Sequence, residues 1–558
     1  MLTASDDSLS LSAPAGGSAR ISFTAPTGDA AIDGLLVGTY WLGAPSFGFP
    51  AASGDFGPDY GGPAPDSGFA QASPGQMQAV REILTGSAPD TGGPVMRYGS
   101  VVSFTLLHPG EAQDAATADL RYAQSADPVT AYTYVPWASA GDGSEAGPSS
   151  GDVWFGKNYA PITSPQLGDY GWAVILHETG HALGLKHAQE AGGPAGIGVP
   201  TEFDSLEYTV MSYRSVPNGT PGIWTNEAAG YPQTYMTLDI AALQHLYGAN
   251  FDTNSGDTTY GWSPDTGEMF INGVGQGAPA GNRIFLTIWD GGGNDTYDLS
   301  NYGNAVSIDL QPGHSSVTSP EQLALLDAAQ GIRAAGNVHN ALLFEGDPRS
   351  LIENAIGGSG NDSITGNAAG NRLVGNGGND TLLGLDGDDA LAGGPGDDYL
   401  DGGSGADTYI FHLSSMLVSG SGAPGTLWHG LANAPQYLQA GIAGMLPSGV
   451  GWQLAVLLAS HGYGQMPAPA QEQIQAEGND TIAHLDDGDV LQFDLPQAMI
   501  EPHVSFLVED TDLDGVADTT LHFDGGGGIT LLDAQYASLE QLAGSGHLRF
   551  AQDAALIA

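Results

Sequence analysis

Between Gly357 and Ile410 the chain repeats itself every nine residues, a period that few folds accept. The units are GGSGNDSIT, GNAAGNRLV, GNGGNDTLL, GLDGDDALA, GGPGDDYLD and GGSGADTYI, six in tandem without a gap. Their sixth place holds Asp362, Asn371, Asp380, Asp389, Asp398 and Asp407, and their eighth holds Ile364, Leu373, Leu382, Leu391, Leu400 and Tyr409. A nonapeptide of this kind makes one tight turn and one short strand, so the run predicts a parallel β-roll. Glycine supplies the positive φ that the turn needs, and the eighth side chain points inward to stack on its equivalents. A disordered Gly/Asp linker has no reason to keep an aliphatic side chain in register. The aspartates and turn carbonyls face the next turn, an oxygen lining that suits calcium. Gly358, Gly360, Asp362, Gly378, Asp380, Gly387, Asp389, Gly396, Asp398, Gly405 and Asp407 are therefore the expected calcium-site residues. Without calcium the stacked carboxylates repel, and the roll is expected to be disordered.

The acids of the repeat belong to a wider imbalance. Lys and Arg number 12 against 63 Asp and Glu, for a formal net charge of −51. Nucleic acid and anionic membrane surfaces are excluded as partners, because both would be repelled. No stretch is long and apolar enough to span a bilayer. There is no cysteine, so disulfides are absent and metal sites must come from His, Asp, Glu and carbonyls. The opening MLTASDDSLSLSAPAGG has neither the basic nor the apolar region of a cleavable signal peptide.

A length of 558 residues allows two or three domains. Up to about Asn250, strand-like and helix-like runs alternate, as in an α/β or α+β domain. Ile21 and Phe23, Leu35–Trp41, Val101–Leu107 and Asp152–Phe155 are predicted strands from their β-branched and aromatic content. Helices are predicted after Ser73-Pro74, over Tyr170–Leu183, and around Met236, Ile240, Leu243 and Tyr247, ending at Gly248. Residues 412–474 are rich in Gly, Ala and Pro. From Gly478 strand-and-turn character returns. There Asp510, Asp512, Asp514 and Asp518 alternate in DTDLDGVAD, a spacing that suits a calcium loop or an acidic surface turn.

The stretch that carries chemistry is HETGHALGLKH, from His177 to His187. On a helix, residues four apart share a face, so His177 and His181 can reach one zinc ion. Gly184 can leave the helix in a left-handed conformation and turn His187 back to the same ion. Three neutral imidazoles leave a coordination place open, which marks a catalytic rather than a structural site. Glu178 sits beside the first ligand and is the expected general base toward a metal-activated water. Downstream, Tyr208-Thr-Val-Met211-Ser-Tyr213 has the spacing of the methionine turn that accompanies this motif. Tyr213 is the candidate for a hydrogen bond to the oxyanion.

HETGHALGLKH with YTVMSY resembles the metzincins, and the tyrosine two residues after Met211 narrows the likeness to the serralysin or astacin type. The repeat behind it selects the serralysins, bacterial proteases with such repeats. ADLRYAQS, SGDVWFG, LDIAALQHLYGAN and WDGGGNDTYDLS agree, and the resemblance covers most of the first 411 residues. It implies a secreted, extracellular zinc metalloendopeptidase acting on protein or peptide substrates. It also implies type I secretion through an uncleaved C-terminal signal, a small protein inhibitor as a partner, and a monomer. It assigns His177, His181 and His187 to one zinc, Glu178 and Tyr213 to catalysis, and Asp290, Gly292 and Asp295 to calcium. GDVWF resembles the edge strand that pairs with substrate. The ending QDAALIA follows the family only loosely, and residues 314–344 and 412–474 look expanded.

The expected fold is an α/β (α+β) metzincin-type catalytic domain followed by an all-β parallel β-roll or β-sandwich domain. The expected division is a pro-segment at 1–20, a catalytic domain at 21–250 and a roll domain at 251–411 containing the repeats at 357–410. An insertion at 412–474 and a C-terminal β module with the export signal at 475–558 complete it.

Overall fold

The computed structural model describes residues 20–58, 60, 68–86, 102–139, 145–222, 224–419, 470–486, 489–495, 497–512, 514 and 516–550. The expected pro-segment (except Arg20), most of the insertion and the final residues with the export signal lie outside the described residues. The chain divides into two compact units, residues 1–390 with 402–404, and residues 391–401 with 405–558. Sheet predominates over helix in the described residues. Among them, no helix is long and apolar enough to cross a membrane.

In the first unit, six strands make one sheet: β1 (Ser46–Gly48), β2 (Ala70–Gln71), β3 (Gly110–Glu111), β4 (Leu120–Ser125), β5 (Ala131–Thr133) and β6 (Val153–Gly156). Their order is β3-β1-β4-β6-β5, with β2 paired to β4. β4 and β6 run parallel, and β5 closes the row antiparallel to β6. Three helices accompany the sheet, α1 (Pro74–Thr85), α2 (Tyr170–Ala182) and α3 (Thr237–Tyr247). Each starts where the sequence supplies a cap. Ser73 and Gln76 exchange hydrogen bonds at the start of α1. Asp169 accepts from the Trp172 amide at 2.8 Å, and Asp239 from the Met236 amide at 3.0 Å. The core between sheet and helices includes Phe47, Tyr122, Phe155, Leu176, Met211 and Leu243, and Phe285, Trp289, Ala324, Leu326 and Ala334 pack into it as well.

Two strand predictions change. Strand structure begins only at Thr39, because Leu35 and Leu36 still bond back to Ile32 and Asp33 as a helix end. Residues 102–107 are turns and an isolated bridge. The Thr105 hydroxyl donates to the Val102 carbonyl at 2.9 Å and accepts from the Leu107 amide at 3.2 Å. That local bonding competes with a ladder, while Val102, Phe104 and Leu107 still reach the core.

Further along the first unit the chain coils. Thr296–Asp298, Asn354–Ile356 and Arg372–Val374 stack in parallel, as do Ser307–Asp309, Ser363–Thr365 and Thr381–Asp386. Ala355 pairs with Leu373 and Ile364 with Leu382, so one coil takes 18 residues, or two nonapeptides. The eighth-place residues Ile364, Leu373 and Leu382 are fully buried, as the repeat requires.

In the second unit strands also pair in parallel, with a different step. Tyr399 pairs with Thr481 and Thr408 with Val490, 82 residues apart. The interruption leaves and returns through one antiparallel ladder, Ser414–Ser419 against Ala470–Gln475. Asn479–Ile482 then pairs with Gly528–Leu531, and Val504–Glu509 forms a long hairpin with Asp518–Phe523.

Candidate metal centre and cleft

Helix α2 brings His177 and His181 to one face, and the turn through Gly184 returns His187 to them. Gly184 has φ +104°, and a Cβ there would lie 2.6 Å from the Thr39 carbonyl oxygen, so glycine is required on both grounds. The His181 Nε2 lies 3.1 Å from that of His177 and 3.0 Å from that of His187. Each Nδ1 has its own acceptor: the Val210 carbonyl for His177 at 2.8 Å, the Leu185 carbonyl for His181 at 2.8 Å, and the Glu190 carboxylate for His187 at 2.7 Å. Carbonyls and carboxylates only accept, so the Nδ1 atoms carry the protons and the Nε2 atoms present lone pairs. Three lone pairs this close repel unless a cation lies among them. Burial, followed by the neighbouring histidines, holds His177 down to about 3 and His181 well below the usual imidazole value. The donor set fits zinc, which takes neutral imidazoles.

The methionine turn lies beneath this group. Met211 is fully buried, and a Cβ on Gly180 would meet its sulfur at 2.7 Å. The turn itself is held by Asp239 of α3, which accepts from the Thr209 hydroxyl at 2.6 Å and the Val210 amide at 2.8 Å. Burial pushes the Asp239 carboxyl up to about 7, against the pull of those hydrogen bonds.

Glu178 is buried, and burial pushes its carboxyl up to about 7. The Thr133 hydroxyl lies 2.7 Å from its Oε2 and opposes that shift. The Tyr213 ring sits 4.3 Å from the His187 ring and 5.6 Å from the His177 ring, centroid to centroid. Burial and the charges of Glu178 and Glu190 push its phenol up to about 12. These groups open onto a cleft of about 460 Å³ whose lining includes Thr130, Tyr159, Tyr170, Val174 and Trp224. The strand beside the cleft is not GDVWF. Val153–Gly156 is paired on both sides, to β4 and to β5, and all four residues are buried. The outermost strand is β5, with Ala131 on the cleft and Thr133 on Glu178.

Residues 249–420 match the family described as peptidase M10 serralysin C terminal. The chain is a relative of the serralysins. Metallopeptidase AprA of Pseudomonas marginalis is 33% identical over 280 residues, 49% of this chain and 52% of that protein. Serralysin of Proteus mirabilis is 37% identical over 227 residues, 39% of this chain and 40% of that protein. Serralysin C of Dickeya chrysanthemi is 38% identical over 238 residues, 42% of each chain. The chain thus spans about half or less of the length of these serralysin relatives.

In this serralysin relative the predicted calcium residues fall into three places. Asp290 and Asp295 are buried together. Asp290 accepts from the Tyr260 hydroxyl at 2.6 Å and the Gly292 amide at 2.8 Å, and Asp295 Oδ1 accepts from the Thr258 amide at 2.8 Å. Asp295 Oδ2 is buried without a hydrogen-bond partner. Burial raises both carboxyls, and repulsion from Asp290 raises Asp295 further. Glu353 accepts from the Asp295 amide at 2.8 Å and is pushed up to about 7, chiefly by burial.

In the repeat, the sixth-place side chains bond from coil to coil. The Asp362 amide donates to Asp380 at 2.7 Å and the Asn371 amide to Asp389 at 2.6 Å. Gly292, Gly378, Gly387, Gly396 and Gly405 take positive φ between +117° and +156°. A Cβ on Gly378 would also run into the Gly360 carbonyl of the preceding coil, and one on Gly358 into Tyr302. Asp398 and Asp407 make the same rung across the longer step, their amides donating to Asp480 at 3.2 Å and Asp489 at 2.9 Å.

Asp510, Asp512 and Asp514 each bring a carboxylate oxygen within 4.8 Å of the others, and Asp518 stands outside that group. Asp518 instead accepts from Thr511 and from the Asp533 amide at 2.9 Å.

The sequence reading missed Thr133, Glu190, Asp239, Asp480 and Asp489. Asp480 had a signal, since GNDTI at 478–482 differs only at Thr481 from places four to eight of GGSGNDSIT. Thr133 and Asp239 are brought in by tertiary folding and carry no local motif, whereas Glu190 stands only three residues after His187.

Proposed function

We propose that this chain is a secreted zinc-dependent endopeptidase whose C-terminal region binds calcium for folding and export. The observation that carries the reading is the convergence of three Nε2 lone pairs beside a buried carboxylate, in a cleft bordered by an outermost strand. The names of its relatives, serralysin and metallopeptidase, support it. A zinc ion held by His177, His181 and His187 would supply Lewis acidity toward water and toward the scissile carbonyl. Glu178 takes the proton from the attacking water and delivers it to the leaving amine. Thr133 fixes the carboxylate that does so. Strand β5, outermost in its sheet among the described residues, could pair with an extended substrate, which would add to the sheet as a further strand. Tyr213 lies close enough to the imidazoles to donate a hydrogen bond to the oxyanion.

Calcium fits the acid clusters on two counts: the partnerless oxygen of Asp295 and the coil-to-coil rungs of buried carboxylates. Asp290, Gly292 and Asp295 with Glu353, the repeat aspartates with Asp480 and Asp489, and the Asp510–Asp512–Asp514 group are the proposed ligands. Type I secretion, a small protein inhibitor and a monomeric state complete the proposal. The test is casein cleavage in millimolar calcium by wild type, Glu178→Ala and a zinc-chelated sample. Cleavage by untreated wild type alone is expected, with zinc content equal in wild type and Glu178→Ala. A folded, zinc-loaded wild type that cleaves neither casein nor a broad peptide library would end the reading.

A further inference from the structure

Part of the stretch 314–344 reaches the cleft through a neighbour. Trp224 forms one side of the cleft, its ring 5.6 Å from Tyr170 and 6.0 Å from His177, with its indole N–H donating to the Ser212 carbonyl at 2.9 Å. The residues after it are tied to a hairpin made of Leu325–Asp327 and Ile332–Arg333. The Thr225 hydroxyl donates to the Leu326 carbonyl at 2.8 Å, and the Ala328 amide donates to the Thr225 carbonyl at 3.1 Å. The Glu227 amide donates to the Leu325 carbonyl at 2.9 Å, and the Leu325 amide donates back to the Glu227 carboxylate at 3.0 Å. Arg283 holds that carboxylate with two hydrogen bonds, at 2.5 and 3.1 Å. Gly230 lets the segment lie flat on the hairpin, since a Cβ there would lie 3.2 Å from the Leu325 carbonyl oxygen and 2.9 Å from Glu227 Cγ. The hairpin itself is anchored, with Ala324, Leu326 and Ala334 buried in the core that holds α2.

We propose that this hairpin is a specificity brace, which fixes Trp224 against Tyr170 so that the cleft beside the metal centre selects a large aromatic side chain of a bound peptide. The proposal rests on the peptidase reading and names its substrate class. Tyr159, Tyr170, Val174 and Trp224 give that part of the cleft aromatic and aliphatic walls, and no Lys or Arg is among its described lining residues. Aromatic walls favour an aromatic guest through edge-to-face and offset contacts, but only if the ring that offers them is held at a fixed distance. Thr225 and Glu227 do not line the cleft, so they are positioning residues that act through Trp224.

The test uses two peptides that differ only in Phe or Ala beside the scissile bond, with kcat and KM measured for full-length wild type, Trp224→Ala, Thr225→Val and Glu227→Ala. Wild type is expected to prefer Phe by about tenfold or more in kcat/KM, and Trp224→Ala to lose most of that preference. Thr225→Val and Glu227→Ala are each expected to cut it about threefold, through a higher KM for the Phe peptide, with kcat for the Ala peptide and zinc content unchanged. Zinc-loaded variants that keep the wild-type preference, or a wild type that prefers Ala, would overturn the brace. Dissociation constants for both peptides on a Glu178→Ala background separate the two readings. A Phe preference in binding without hydrolysis by wild type fails the peptidase reading alone, whereas equal binding of the two peptides fails the brace.

Discussion

Asp239 shows how much of the metal centre depends on a residue that never touches it. Its carboxylate holds Thr209, Val210 and Met236, and the Val210 carbonyl in turn orients His177. Its folded pKa of about 7 lies above the roughly 3.9 of an unfolded aspartate. The folded protein therefore binds this proton more tightly than the unfolded chain does. The stability it lends is complete below about pH 4 and is lost as pH rises toward 7. Asp239→Asn, which keeps the shape, is expected to flatten the fall of the thermal midpoint over that interval. Asp239→Ala should lower the midpoint at every pH, through a stability cost of about 1–3 kcal/mol, because buried amides lose their acceptor. A wild-type midpoint that does not fall between pH 4 and 7 relative to Asp239→Asn would contradict the assignment. None of this was legible in LDIAALQH, whereas His177, Glu178 and His181 were, because helical spacing alone puts the two histidines on one face. Thr133 and Asp239 lie 45 and 29 residues from their partners Glu178 and Val210, and no periodicity encodes such meetings.

At the scale of elements, the error over GDVWF is instructive. An unbroken apolar run is what a strand covered on both faces looks like. All four residues of Val153–Gly156 are buried, while the true outermost strand, Ala131–Thr133, is short and only half-buried. Helix α2 offers a sharper test. Replacing a helical glycine by alanine usually stabilises, by about 0.4–1 kcal/mol. At Gly180 the added methyl would meet the Met211 sulfur at 2.7 Å, so the sign should reverse. Gly180→Ala is expected to cost about 1–3 kcal/mol and to speed zinc release to a chelator. A raised thermal midpoint in calorimetry would show that the methionine turn yields more easily than its packing implies.

For the whole molecule, the nonapeptide period foretold the parallel strands and their buried eighth-place residues. The nine-residue count by itself did not reach Asp480 and Asp489, because the period is broken before them and only the short GNDTI match at 478–482 marks its return. Calcium should stabilise this region by mass action, about 2.7 kcal/mol at a hundredfold excess over its dissociation constant. A chelator for calcium is therefore expected to lower the midpoint by about 5–10 °C and to diminish the sheet signal in circular dichroism, with recovery on adding calcium back. A melt indifferent to calcium would remove its structural role. The interruption itself has a separate consequence. Partner strands there are 82 residues apart instead of 18, so 64 residues are spliced in at one seam while the rungs on either side keep their form. The paired stems Ser414–Ser419 and Ala470–Gln475 leave side by side. Replacing residues 420–469 by an Asn-Gly turn should therefore leave calcium stoichiometry and the melt unchanged. The same seam is a socket for grafting: a foreign domain whose own ends lie close together could ride there as cargo without disturbing the coil that carries it.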